Sequence, residues 1–218
     1  MRVIDSPQEM LSAVEELRRN SQTIGFVPTL GNLHQGHAKL IQTARTNSDV
    51  VVVSVFVNPV QFSQHEDLDA YPHTEKDDME LCRQERVDIV FLPAAADIYA
   101  AGQHPLTQVN IPSMSSLHCG VSRPTHFMGV LTVVALLFNL VKPHCAAFGK
   151  KDFQQLRLIQ IMVKELHFPV KILAVDTGRA ADGLALSSRN FYLTKEEREL
   201  APHFYKTLVR AAKKLTSG

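Results

Sequence analysis

Two histidines flank a glycine in Pro28-Thr29-Leu30-Gly31-Asn32-Leu33-His34-Gln35-Gly36-His37. Thr23–Pro28 reads as a strand, and the residues from about His37 to Asn47 as a helix. A turn at the carboxyl end of a parallel strand is where open α/β sheets bind ligands. The helix N-terminus adds free N–H donors and a positive dipole end that suit an anion. Gly36 lets a flat base or a phosphate approach the backbone. Two imidazoles can donate hydrogen bonds to phosphate oxygens whose charge grows during displacement. The turn therefore points to a nucleotide and to chemistry at its phosphates.

Other segments hold groups that could meet that phosphate. Gly149-Lys150-Lys151-Asp152 follows a short strand and opens a helix. Its lysines can neutralise a transferring phosphoryl group, and Asp152 can cap the helix or help hold a metal ion. It is not a Walker A loop, because the GxxxxGK pattern is absent. Leu186-Ser187-Ser188-Arg189-Asn190 offers two hydroxyls and a guanidinium to β- and γ-phosphates. Asn58-Pro59-Val60-Gln61-Phe62 follows the most apolar strand, so Gln61 lies on the same sheet edge as the histidine turn. Gln155 stands near the start of the helix after Asp152. Neutral amides bind hydroxyls and carboxylates without competing as nucleophiles. Gln154 reads as an exposed helix residue. Arg123, before an apolar helix, suits a substrate carboxylate or a phosphate. His73, His104 and His167 read as surface or loop residues.

The elements that must position these groups alternate. Arg2–Ile4 is a short strand. Ser6-Pro7-Gln8-Glu9 starts a helix to about Asn20, with Ser6 and Glu9 forming a capping box. Val50–Val57 is a nearly continuous apolar run, as in a parallel strand covered on both faces. Glu75–Arg86 (helix), Val87–Leu92 (strand) and Leu106–Ile111 (a weaker strand) follow. His126–Val141 is an apolar helix stopped by Pro143. Cys145–Phe148 (strand), Asp152–His167 (helix) and Val170–Val175 (strand) complete the series. This pattern predicts a doubly wound parallel α/β sheet. Beyond Val175 comes a loop-like stretch to Asn190, then a last helix opened by a capping box at Thr194–Glu197.

Composition narrows the class. The 218 residues carry 23 Lys and Arg against 22 Asp and Glu, so no strongly basic face for nucleic acid is expected. Cys82, Cys119 and Cys145 have no metal-ligand spacing and suit reduced thiols in a cytoplasmic protein. The N-terminus has Asp5 where a signal peptide needs an apolar core. The longest apolar run, Gly129–Val141, is too short to span a bilayer.

Six stretches resemble, in order, the pantothenate synthetase (pantoate–β-alanine ligase) family: VPTLGNLHQGH (27–37), VFVNPVQF (55–62), EDLDAYPHT (66–74), SRPTHFMGVLTVVALLFNLVKP (122–143), AFGKKDFQQL (147–156) and DGLALSSRN (182–190). The resemblance implies the Rossmann-like fold of the HxGH nucleotidyltransferases. Residues 1–176 would bind nucleotide and pantoate, and 177–218 would begin a C-terminal lid domain that is cut short. It implies that pantoate attacks the α-phosphate of ATP, giving a pantoyl adenylate and pyrophosphate. The β-alanine amine would then displace AMP to form pantothenate, a precursor of coenzyme A.

Roles follow by resemblance. Leu30, Gly31, Asn32, Leu33, His34, Gln35, Gly36 and His37 form the ATP-binding turn. Gly149, Lys150, Lys151 and Asp152 add a second stretch, with Lys151 stabilising the pentacovalent phosphate. Leu186, Ser187, Ser188 and Arg189 match the mobile phosphate loop, and Gly178 a backbone contact to the nucleotide. Gln61 and Gln155 would hold pantoate, with Gln61 also near β-alanine; Arg123 and Asn58 are further substrate candidates. The family makes His37 a proton donor, but pyrophosphate scarcely needs a proton to leave, so electrostatic stabilisation is the larger role. ATP and Mg²⁺, a homodimer and a cytoplasmic location complete the implication. Asn32, Gln35 and Gly178 depart from common family residues without removing an imidazole or Gly36. An adenylyltransferase acting on a phosphorylated substrate, and a non-catalytic nucleotide-binding module, are the competing readings.

Overall fold

A computed structural model describes residues 1–63, 66, 68, 71–72, 74–99, 102 and 104–216. His73 and part of the acidic stretch 66–74 lie outside the described residues. The elements are β1 (Arg2–Ile4), α1 (Pro7–Arg19), β2 (Ile24–Thr29), α2 (Gln35–Arg45), β3 (Val50–Val55), α3 (Glu75–Gln84), β4 (Ile89–Phe91), α4 (Ala95–Ile98), α5 (Pro112–Ser115), α6 (Cys119–Ser122), α7 (His126–Val141), β5 (Cys145–Gly149), α8 (Phe153–Glu165), β6 (Lys171–Val175), α9 (Lys195–Leu200) and α10 (Pro202–Thr216). Short 3₁₀ turns cover Pro59–Gln61, Lys150–Asp152 and Ser188–Tyr192.

Six parallel strands form one sheet in the order β1-β4-β3-β2-β5-β6. The chain moves from β2 outward through β3, then resumes on the other side at β5. The ends of β2 and β5 thus border the switch point, where doubly wound sheets leave a crevice. Alternate residues of β3 explain its run of four valines, Val50–Val53. Val52 faces a core built with α1, α7 and α8, while Val51 and Val53 face α2 and α3. Full burial of each such side chain contributes about 1.5–3 kcal/mol.

Several expectations need correction. Glu9 does not close a capping box, because its carboxylate pairs with Arg2 at 2.8 Å; only the Ser6 hydroxyl caps α1, by accepting from Glu9 N–H. Leu106–Ile111 is not a strand. Val109 and Ile111 pack on the core, and Val109 N–H donates to Thr132 Oγ1 at 3.0 Å rather than to a ladder. Asp152 makes no side-chain cap to α8; it pairs with Lys151. The last helix is two, α9 and α10, divided before Pro202. Its Thr194–Glu197 capping box is present. Among the described residues no helix is long and apolar enough to cross a membrane.

The apolar helix α7 reaches the crevice through its small residue. A Cβ on Gly129 would lie 2.8 Å from the backbone of Val60 and Gln61, so only glycine lets α7 seat against the Pro59–Gln61 turn. Gly129→Ala is expected to destabilise the fold by about 1–3 kcal/mol, measured by urea denaturation. An unchanged midpoint would contradict this close approach.

Candidate active site

The histidine turn is built from its hydrogen bonds. Thr29 Oγ1 donates to Ser54 O (2.7 Å) and accepts from Gly31 N–H (3.2 Å), ending β2. Gly31 and Asn32 then take positive φ, 87° and 50°, and reverse the chain. The amides this reversal leaves without backbone partners are caught by one carboxylate from α3. Asp78, 1% exposed, accepts from Asn32 N–H (3.0 Å), Leu33 N–H (2.6 Å) and Thr74 Oγ1 (3.1 Å). Burial pushes its pKa up against these hydrogen bonds.

The two imidazoles cap α2. His34 Nδ1 accepts from Gly36 N–H at 3.0 Å, and His37 Nδ1 accepts from His34 N–H at 3.2 Å. An acceptor nitrogen has no proton, so each neutral ring carries its proton on Nε2. The rings lie 4.2 Å apart. Burial, then Lys151, holds His34 below its ordinary pKa. Burial, then His34 and Lys151, brings His37 down to about 3. Near neutral pH both are uncharged donors. Gly36 serves this geometry directly: a Cβ there would lie 2.7 Å from the His34 ring.

Across the crevice, the end of β5 supplies Gly149, Lys151 and Asp152, and α8 supplies Gln155. These residues line a cleft of about 260 Å³ with Leu30, His34, Gly36 and His37. Gln61, Arg123, Gly178, Leu186, Ser187, Ser188 and Arg189 complete the sequence-derived lining. The 186–189 loop reaches the turn through Ser188 Oγ, which donates to Asn32 O at 3.1 Å. Gly178 seats the loop: a Cβ there would stand 3.3 Å from both Gly36 Cα and Leu186 Cδ1.

Other expected residues do not line the cleft. Gly31, Asn32 and Leu33 shape the turn from behind, and Gln35 is exposed on α2. Lys150 points to Asp176, at 2.6 Å. Asn58 is corrected from substrate contact to support: it is fully buried, and its amide is already engaged. Its Nδ2 donates to Gln61 Oε1 (3.1 Å) and Gly129 O (3.2 Å), while Oδ1 accepts from Tyr99 OH (2.7 Å) and Val60 N–H (3.2 Å). This fixes the Gln61 amide with its NH₂ end unspent by Asn58. Arg123 is paired with Glu66 through Nε and Nη2. Gln154 is half-buried rather than exposed: it clamps the α5–α6 segment, donating to Met114 O (3.0 Å) and Leu117 O (2.7 Å) and accepting from Cys119 N–H (3.2 Å).

Sequence reasoning missed Asp78, His126, Asp176 and the apolar wall of Val130, Val133, Val134 and Leu137 from α7. The acidic first turn of α3 was the available sign of Asp78. The wall was visible only as a buried helix, because its cleft-facing side is as apolar as its core-facing side.

A neutral pair of N–H donors, a lysine opposite them and a helix N-terminus thus meet at the switch point of a doubly wound α/β sheet, the place where such folds bind ligands and where a helix N-terminus suits an anion. The chain belongs to the pantoate-beta-alanine ligase family, whose model matches residues 2–217. A pantothenate synthetase of Alteromonas mediterranea is 49% identical over all 218 residues, which span 77% of that relative. A crystal structure of pantothenate synthetase from Thermus thermophilus is 44% identical with TM-score 0.88, over 96% of this chain and 74% of that one. The pantoate-beta-alanine ligase of Francisella tularensis, crystallised with beta-gamma ATP and beta-alanine, is 40% identical with TM-score 0.89, over 94% and 78%.

Two outcomes follow. Asp78→Ala leaves two turn amides without their acceptor and is expected to cost about 2–3 kcal/mol of stability; a change under about 0.5 kcal/mol by denaturation would contradict its anchoring role. His37 binds a proton more readily unfolded, at about pH 6.5, than folded, at about 3. Stability is therefore intact above about 6.5 and falls as pH drops toward 3, by about 2 kcal/mol at pH 5 from this group. His37→Asn, which keeps an acceptor for His34 N–H, is expected to flatten that fall between pH 7 and 5. Parallel profiles for parent and variant would contradict it.

Proposed function

We propose that this chain ligates pantoate to β-alanine with ATP through a pantoyl adenylate, releasing pyrophosphate and then AMP. Family membership supports the substrates. The observation that carries the mechanism is the pair of Nε2–H donors at the N-terminus of α2, with Lys151 across the β2/β5 crevice. Gln61 and Gln155 bind the hydroxyls and carboxylate of pantoate, and the valines of α7 take its dimethyl carbon. A pantoate carboxylate oxygen attacks the α-phosphorus in line as the bond to pyrophosphate breaks. His34, His37 and Lys151 stabilise the growing negative charge. His37 acts as a hydrogen-bond donor and not as an acid, since its ring is already neutral at pH 7.

Ser187, Ser188 and Arg189 cover the β- and γ-phosphates, and Gly149–Asp152 and Gly178 border the nucleotide. Among the described residues no three His, Cys, Asp or Glu side chains cluster as a metal site. Asp152 and Asp176, the carboxylates of the cleft, paired with Lys151 and Lys150, would help hold a Mg²⁺ that enters with the triphosphate. When bound, Mg²⁺ supplies charge neutralisation at the phosphates. Residues 1–176 form the binding body and 177–218 open a lid. In support, Arg179 stacks on Tyr205 3.5 Å from the ring centre, and Arg198 pairs with Asp182, which ties α9 and α10 to the loop. A cytoplasmic homodimer accords with this family reading.

With pantoate and ATP but no β-alanine, a single-turnover burst of pyrophosphate is expected. Replacing His34 and His37 together by Ala is expected to slow the burst at least about 10³-fold. An unchanged burst in the double variant would sink the proposed role of the turn.

A further inference from the structure

His126 opens α7 and lines the cleft beside Gln61 and Arg123. Its Nδ1 lies 2.9 Å from the main-chain carbonyl oxygen of Gln61. A carbonyl can only accept, so Nδ1 carries the proton and donates it. Nε2 is left with a lone pair. This is the opposite tautomer to His34 and His37. The ring is held edge-on by Phe127, with centroids 5.0 Å apart, and is only 9% exposed. Burial, with Arg123 nearby, lowers its pKa against the raising effects of Gln61 O, Glu66 and Asp152, so the lone pair is available at neutral pH.

The second half of the proposed reaction needs such a lone pair. β-Alanine enters as an ammonium ion and must lose one proton to solvent before its nitrogen can attack. Attack forms the C–N bond and leaves two hydrogens on a positively charged nitrogen. One of them must leave as the C–O bond to phosphate breaks and AMP departs with that electron pair. His34 and His37 cannot accept it: their Nδ1 lone pairs cap α2 and their Nε2 atoms are already protonated. Lys151 has no lone pair while charged. Asp78 is behind the turn, and the cleft carboxylates Asp152 and Asp176 are ion-paired with Lys151 and Lys150.

We propose that His126 Nε2 accepts this proton during aminolysis, with the Gln61 carbonyl fixing the ring in the tautomer that can do so. The imidazolium formed then returns its proton to solvent. The site thus divides its histidines: two donate to phosphate, and one receives from the amine. One turn, Pro59–Gln61, serves both substrates, presenting its side-chain amide to the acid and its carbonyl to the base that serves the amine.

This inference rests on the adenylate mechanism, and the test separates the two. The pantoyl adenylate is first formed on the chain from pantoate and ATP, with pyrophosphate release as the readout. If the parent chain forms none, the adenylate reading fails and the inference falls with it. If it forms, β-alanine is added and pantothenate appearance is followed in a single turnover. His126→Asn keeps a side-chain N–H for the Gln61 carbonyl but removes the acceptor. In this variant, aminolysis is expected to fall about 10²-fold, and adenylate formation by far less. Hydroxylamine, whose nitrogen is uncharged at neutral pH and loses its proton more easily, is expected to consume the adenylate at close to the parent rate. His126→Gln provides a second variant lacking the same base. Equal losses in both half-reactions, or the same loss with hydroxylamine as with β-alanine, would overturn the assignment.

Discussion

Two imidazole lone pairs hold the first turn of α2, and the rest of the site depends on them. His34 caps Gly36 and His37 caps His34, each through Nδ1. Every helix N-terminus carries N–H groups that need acceptors. Using histidine for that purpose fixes which nitrogen keeps its proton. It also aims that proton away from the helix. An aspartate cap would satisfy the backbone equally well but offer no donor at all. The same capping explains Gly36, since a side chain there would occupy the place of the His34 ring.

The sheet converts this local device into a site. Because β2 and β5 meet at the switch point, the histidine turn and the Gly149–Asp152 turn face one crevice without a long connecting loop. On its far side, α7 approaches through Gly129 and sets the height of the Pro59–Gln61 turn. Asn58 then orients Gln61 from beneath, buried and fully bonded. Every polar atom of the Asn58 amide is bonded, and that fixes the orientation of the Gln61 amide above it.

Alternation of strand and helix made the doubly wound sheet legible, because four consecutive valines, Val50–Val53, can be buried only if the strand is covered on both faces. The turn residues were legible for the same reason: small, charged and imidazole groups gather where strands end. Supports were not. Asp78 and Asn58 look like any acidic helix start and any loop amide until the fold brings turn amides and Gln61 against them. The 106–111 segment misled because apolar residues at alternate positions also serve a coil that packs through its side chains. Gln154 misled because nothing in a helix sequence reveals three partners on a distant loop.

In the proposed mechanism His34 and His37 meet the nucleotide as neutral Nε2–H donors. Nitrogen-15 NMR of labelled histidine in the chain, with pantoate and a non-hydrolysable ATP analogue bound at pH 7, tests it directly. Both turn histidines are expected as the Nε2–H tautomer, with His126 alone among the three as Nδ1–H. An imidazolium at His37, or a proton on Nδ1 of either turn histidine, would contradict it.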